Sequence, residues 1–260
     1  MVVRRFEVRE LSGIVAMTSA STLWDTIWFR EGAGHEIDPA LMVALAHAGG
    51  YLAGAFDGDT LVGAALGFWG SPDHGALHSH ITGVLPTYAG RGIGTMIKNH
   101  QRDWVLARAG SAITWTYDPL VSRNAHVNLN RLGARPERYL LDVYGDLADD
   151  LNRGDPSDRL LVRWRLAGAP EPPSARAAVP LLIDKNGLPV TGPQLDGDDA
   201  PAVLTVGVPD DITALRRQDP ATAGLWRFAV REALVPLLDR SWTITGFDRT
   251  HGYRVEAPPS

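Results

Sequence analysis

The spacing of apolar residues divides the first two-thirds of the chain into short strands and amphipathic helices. Phe6–Glu10 alternates with a period of two, and Ser12 to about Arg30 carries a helical stripe of Ile14, Trp24, Ile27 and Trp28. IDPALMVALAHAGG reads as a second helix, with Asp38 as N-cap, Pro39 at the first helical position and Gly49–Gly50 as its stop. YLAGAF and LVGAALGFWG flank DGDT and predict a β-hairpin turning on Asp57, Gly58 and Asp59. LHSHITGVLP is a further strand. A glycine cluster and a helix from about Gly92 to Arg108 follow it, with Ile93, Met96, Ile97, Trp104 and Ala107 at three- and four-residue steps. AITWTY is the next strand, and Ser122–Leu132 the next helix, closed by Gly133. The order β-α-α-β-β-β-α-β-α predicts an α/β (mixed α+β) fold, a mixed central sheet flanked by helices.

LLVRWRL extends this pattern, and then the composition changes. AGAPEPPSARAAVP is rich in Pro and Ala, and TGPQLDGDDAP is a second polar loop. LLI, AVLTVGV, a long helix around Ala221–Asp239 and the hairpin WTITGFDR/YRVEA predict a smaller C-terminal α+β unit. The expected division is 1–168, a linker over 169–180, and 181–260. That last unit could close a pocket or build a homodimer.

Charge and composition narrow the function classes. Across 260 residues, 25 Lys and Arg stand against 30 Asp and Glu, a net charge of −5 without a basic run. This argues against nucleic-acid or anionic-membrane partners. Cys is absent, which excludes disulfides, thiolate catalysis and Cys-based zinc sites. Glu7, Arg9 and Glu10 fall where a signal peptide would need its apolar core. No apolar run approaches the roughly 18–20 residues of a membrane span. The expectation is a cytoplasmic protein.

The glycine cluster, TYAGRGIGTMIK over 87–98, carries the chemistry. A strand end, a glycine-rich turn and a helix N-terminus present unpaired N–H groups in one direction and form an anion site. Gly90, Gly92 and Gly94 remove the Cβ atoms that would block a pyrophosphate. A P-loop needs Lys directly after its last Gly; here Lys98 comes three positions late. A dinucleotide fingerprint needs G-x-G-x-x-G and an acidic residue about 20 positions on, and Ala109–Thr116 holds no carboxylate.

LHSHITGVLPTYAGRGIGTMI instead resembles the acyl-CoA-binding core of the GNAT superfamily of acyl-CoA-dependent N-acyltransferases. There a loop of form Q/R-x-x-G-x-G/A holds the CoA pyrophosphate on its backbone amides. Ala89 stands at the Gln/Arg position, which loses one side-chain contact. SRNAHVNLNRLGA is similar to the superfamily's later helix. Aligned on Gly133, Ala125 matches, Ser122 replaces an Asn, and Leu129 replaces the Tyr that commonly protonates the CoA thiolate. The resemblance covers roughly residues 5–145, and the C-terminal extension is similar to one branch of the superfamily.

The resemblance implies an acetyl-CoA or succinyl-CoA co-substrate, no metal, and transfer to the amine of a small molecule such as an amino acid. It places the cofactor on Gly83, Val84, Leu85, Gly90, Arg91, Gly92, Ile93, Gly94, Thr95, Ser122 and Asn124. The backbone amide near Val84 or Leu85 would hold the thioester carbonyl. By the two-residue period, His78, His80 and Thr82 share one strand face, and Ser79 and Ile81 the other. His80 is the candidate base and His78 lies beside it on the substrate; structural histidines are the alternative. H-x-x-x-H-x-H from His74 to His80 leaves a His-ligated metal site as a further alternative. Tyr117 is the candidate for the vacant acid. Asp118 could hold an ammonium and Arg123 a carboxylate, which suits an amino-acid acceptor or a dicarboxylic acyl donor. A non-catalytic acyl-CoA-binding module is the alternative to an enzyme.

Overall fold

The structure is a computed structural model that describes residues 6–28, 35–71, 75–145, 154–168, 172–192 and 201–259. It divides into two compact units, Met1–Trp115 with Arg165–Ala167, and Thr116–Trp164 with Gly168–Ser260.

In the first unit, β1 (Glu7–Glu10), β2 (Tyr51–Asp57), β3 (Thr60–Trp69) and β4 (Ala76–Val84) are antiparallel neighbours in chain order. β5 (Ala112–Tyr117) runs parallel to β4 over Ala76↔Ala112, Leu77↔Ile113 and His78↔Thr114, and the pairing ends there. Between β1 and β2 come α1 (Gly13–Ile27) and α2 (Pro39–His47); Asp38 accepts from the amides of Ala40 and Leu41 at the start of α2. Met17, Leu23 and Trp24 of α1 and Met42 of α2 form a core with Leu52, Ala64 and Leu66. The Trp24 indole donates to the Ala64 carbonyl at 3.3 Å. α3 (Ile93–Leu106) is the crossover from β4 to the parallel β5 and buries Ile93, Ile97, Trp104 and Val105.

The β3–β4 ladder contains a register shift. Ala65 faces Thr82 and Leu66 faces Ile81, but the next two pairs are Gly67↔Ser79 and Phe68↔His78, so His80 has no opposite residue. Opposed residues point to the same face. Ile81 therefore joins His78 on the Leu66 and Phe68 side, and Thr82 joins Ser79 on the Gly67 side. The expected grouping of Thr82 with the histidines is corrected by this one extra residue.

In the second unit, α4 (Ser122–His126) passes into a π-helical turn, Val127–Arg131, closed by a Leu132 N–H to Val127 C=O bond of 3.0 Å. β6 (Arg135–Leu140) pairs antiparallel with β7 (Arg159–Arg165). The sequence pattern hides β6, because Pro136 and three charged residues break its alternation. A five-stranded sheet has the order β11-β12-β10-β8-β9, from β8 (Val179–Lys185), β9 (Leu188–Thr191), β10 (Val203–Val206), β11 (Thr243–Asp248) and β12 (Gly252–Glu256). α5 (Ile212–Gln218) and α6 (Pro220–Asp239) complete the unit, capped by Asp211 and Asp219.

Buried charge is handled differently in each unit. In the second, Arg216 of α5 reaches Asp118 and Asp155, both at 2.6 Å. Arg227 of α6 binds the same two carboxylates at 2.9 and 2.8 Å. Nearby, Arg231 forks onto Asp158 at 2.9 and 2.7 Å, and the Tyr139 hydroxyl adds a 2.8 Å bond to that carboxylate. Burial alone would lift the Asp118 carboxyl; the charges and hydrogen bonds of Arg227 and Arg216 reverse this and hold it well below the usual carboxylate range. In the first unit, Lys98 of α3 is buried among neutral groups. Its ammonium lies 2.8 Å from Ser79 Oγ, 3.3 Å from Gln101 Oε1 and 4.0 Å from the Trp115 ring centre. Burial pulls its pKa down to about 7.

Two stability changes of opposite sign follow. Arg227→Met leaves Asp118 and Asp155 under-compensated and is expected to lower stability by about 3–5 kcal/mol in urea unfolding. Lys98 titrates near 7 folded and 10.5 unfolded, so between those values the unfolded chain binds the extra proton and stability rises with pH. Lys98→Met should remove that rise, of order 3–5 kcal/mol, and gain stability at pH 7; parallel pH profiles for both proteins would refute the assignment.

Candidate active site

The residues after β4 turn through a single 3₁₀ turn, Pro86–Tyr88, into the glycine loop. Gly90 and Gly92 take φ of 78° and 81°, and Gly92 is the N-cap of α3, with no side chain capping it. Met96 donates to the Gly92 carbonyl. Among the described residues no intramolecular acceptor meets the amides of Gly90, Arg91 and Gly92. A Cβ added at Gly90, Gly92 or Gly94 would meet nothing within 4 Å. The bare backbone is thus not there to relieve crowding; it faces open space at the positive end of a helix. The Arg91 guanidinium folds back to the Thr87 carbonyl (3.3 Å) and over the Tyr88 ring (4.9 Å). Ile93 is buried and Thr95 half-buried in the first turn of α3.

β4 positions the remaining first-unit candidates. The Leu85 amide donates to the Val62 carbonyl at 2.9 Å and is thereby occupied. Amides alternate in direction along an antiparallel strand, so that of Val84 faces away from β3, along the edge left free where β4 and β5 stop pairing. Gly83 is needed for close approach: a Cβ there would lie 2.7 Å from Ile27 Cδ1 and 2.9 Å from the Trp28 ring.

His78 and His80 form a cluster of rings with Phe68, at centroid separations of 5.4, 5.7 and 6.3 Å. His78 Nδ1 lies 3.3 Å from Thr114 Oγ1. Burial, then the nearby His80 and Lys98, push the His78 pKa down. His80 is exposed at its outer edge, yet desolvation of the ring lowers its pKa as well. Both imidazoles are therefore neutral at pH 7 and able to accept a proton.

The other candidates belong to the second unit. The Tyr117 hydroxyl is enclosed, without a hydrogen-bond partner among the described residues, and burial pushes its pKa well up. The neighbouring Tyr253 hydroxyl donates to the Pro119 carbonyl (2.6 Å). Asp118 engages both carboxylate oxygens with Arg216 and Arg227. Ser122 is half-buried in the first turn of α4, where Arg123 and Asn124 are exposed, and Leu129 is buried in the π-helical turn. Among the described residues no three His, Asp or Glu side chains gather as a metal site; His74 lies outside them. Among them, too, no helix is long and apolar enough to cross a membrane.

Lys98 and Gln101 are the residues that sequence reading passed over. Their signal was present: both fall on the buried stripe that runs through Ile97, Trp104 and Val105 of α3, where an apolar residue is the usual occupant.

Residues 16–133 match the acetyltransferase (GNAT) family. No curated protein matches the chain. Among solved structures, the ribosomal-protein-S18-alanine N-acetyltransferase of Escherichia coli is 10% identical, at a TM-score of 0.50, with 64% of this chain and 97% of that one covered. The ribosomal-protein-S5-alanine acetyltransferase of Vibrio fischeri is 17% identical at 0.50, covering 64% and 96%. The yncA protein of Salmonella typhimurium, solved with its cofactor acetyl-CoA, is 13% identical at 0.50, covering 66% and 99%. At these identities the structural likeness speaks for the fold alone. The match to the acetyltransferase (GNAT) family is thus one of residues 16–133, somewhat under half of the 260-residue chain.

Proposed function

We propose that the chain transfers an acyl group from acyl-CoA to the amine of a small molecule, an amino acid being the acceptor class we favour. The observation that carries this reading is the glycine loop: unpartnered amides at a helix N-terminus, with open space at every position a Cβ would fill. A diphosphate fits that cradle by charge, hydrogen bonding and shape.

Bound there, acyl-CoA would supply the activated thioester. The chain's own task is alignment and proton handling. Gly90 to Thr95 anchor the diphosphate, and the free edge of β4, with the Val84 amide, receives the extended arm of the cofactor. His80, neutral at pH 7 and open to solvent on one side, takes the proton that the amine loses. Neutral His78 and Phe68 pack beside it and fix its ring.

Gly92→Ala is expected to cost about 1 kcal/mol of stability, for a left-handed Cβ, while weakening CoA binding at least about tenfold in calorimetry. Equal affinity of both proteins for CoA would remove the loop from the site. His80→Ala should lower CoA thiol release with an amine panel by about 100-fold and leave CoA affinity within about twofold. No thiol release by the wild type above the uncatalysed rate with any amine of the panel would favour a binding module over an enzyme.

A further inference from the structure

Among the described residues, Lys98 is the buried cation to which neither the ionic network nor acyl transfer gives a task. It is 8% exposed, with Ser79 at 3% and Gln101 at 0%. Its hydrogen bonds go to a hydroxyl and an amide oxygen, and its ammonium also lies over the face of Trp115. Among the described residues no carboxylate pairs with it. An apolar side chain on this stripe would pack without the desolvation that an ammonium incurs.

The surroundings of Lys98 are also short of acceptors. Gln101 Nε2 and Thr82 Oγ1 are buried and have no hydrogen-bond partner among the described residues. The extra residue at His80 turns Thr82 onto the face that carries Ser79, so both hydroxyls lie on the α3 side of β4. Around Lys98 there are thus an ammonium without a counter-ion, an amide N–H₂ without an acceptor and the Ser79 hydroxyl, with the Thr82 hydroxyl further along the same face of β4. Each of these groups can donate a hydrogen bond.

Its location gives the cluster a direction. β4–β5 pairing ends at His78↔Thr114. Ser79 and Trp115 are the next residues on the two strands, and Lys98 touches both. The ammonium therefore closes the inner end of the free β4 edge, whose outer end leads into the glycine loop. A chain anchored by its diphosphate on that loop and lying along the edge reaches Lys98 with its far end, the acyl group.

We propose that the acyl group carries a terminal carboxylate, a dicarboxylic half-thioester, and that Lys98 binds it with Gln101 Nε2 and the hydroxyls of Ser79 and Thr82. The carboxylate supplies the missing counter-ion and the missing acceptor together. The charge pair forms in a water-poor interior, where charge-assisted hydrogen bonds are strongest. Lys98 here is a specificity determinant for the donor. It takes no part in the proton transfer assigned to His80.

This inference rests on the acyl-CoA reading, and one calorimetric series separates the two. Succinyl-CoA, butyryl-CoA and free CoA are titrated into the wild type, Lys98→Met and Gln101→Leu. Succinyl-CoA is expected to bind the wild type at least about tenfold more tightly than butyryl-CoA, a chain of equal carbon count without the charge. Lys98→Met should abolish that ratio and leave free CoA within about twofold. Gln101→Leu should reduce the ratio severalfold, an independent check should Lys98→Met fold poorly. Equal wild-type affinity for the two donors, or a preference that survives in Lys98→Met, overturns the proposal while CoA binding stands. Failure of all three ligands to bind the wild type overturns the acyl-CoA reading itself.

Discussion

The geometry of the first unit depends on one residue too many in β4. Without the extra position at His80, the period of two would send Thr82 to the histidine side and Ile81 toward α3. With it, each face of β4 receives two kinds of residue. Toward α1 and α2 lie His78, Ile81 and the ring cluster around Phe68; toward α3 lie Thr82 and Ser79, whose hydroxyl meets Lys98. A bulge also twists and bends the strand that carries it, and here it lies two residues past the point at which β4 loses its pairing with β5. The two faces and the free edge all follow from this local break in alternation.

The two units bury charge under different constraints. In the second, four ionised side chains, Asp118, Asp155, Arg216 and Arg227, neutralise one another through several short bonds. That arrangement is closed, and any one member removed exposes the others to the full cost of desolvation. In the first, Lys98 has neutral neighbours alone, and its proton is held so weakly that it titrates near 7. A group balanced in this way responds to whatever approaches it, which the closed network cannot do.

Much of this organisation is legible in the sequence. Asp38 with Pro39, the DGDT turn and the step from strand to glycine loop to amphipathic helix each point to a single local structure, and each is found. Three features are not legible, for physical reasons. β6 has Pro136 and charged residues in place of an alternating face, so tertiary pairing with β7 decides its state. The β4 bulge is a property of two strands together and leaves no mark in one. Asp118 looks like a site residue after a strand end until Arg216 and Arg227, 98 and 109 positions on, close over it. The lysine of the GRGIGTMIK segment was informative twice, first by standing too late for a P-loop and then by standing on the buried side of its helix.

The spread of the ionic network along the chain sets a timetable for synthesis. Asp118 leaves the ribosome 98 residues before Arg216 and 109 before Arg227. At roughly 5–20 residues per second, the aspartate waits on the order of 5–20 s for its partners. During that interval α4, β6 and β7 exist without the helix that neutralises the centre of their unit. The segment that looks like a terminal appendage in the linear sequence is therefore the part whose arrival lets the second unit close. A chain stopped before α6 would leave Asp118 and Asp155 to share Arg216 alone where the interior of the unit should form.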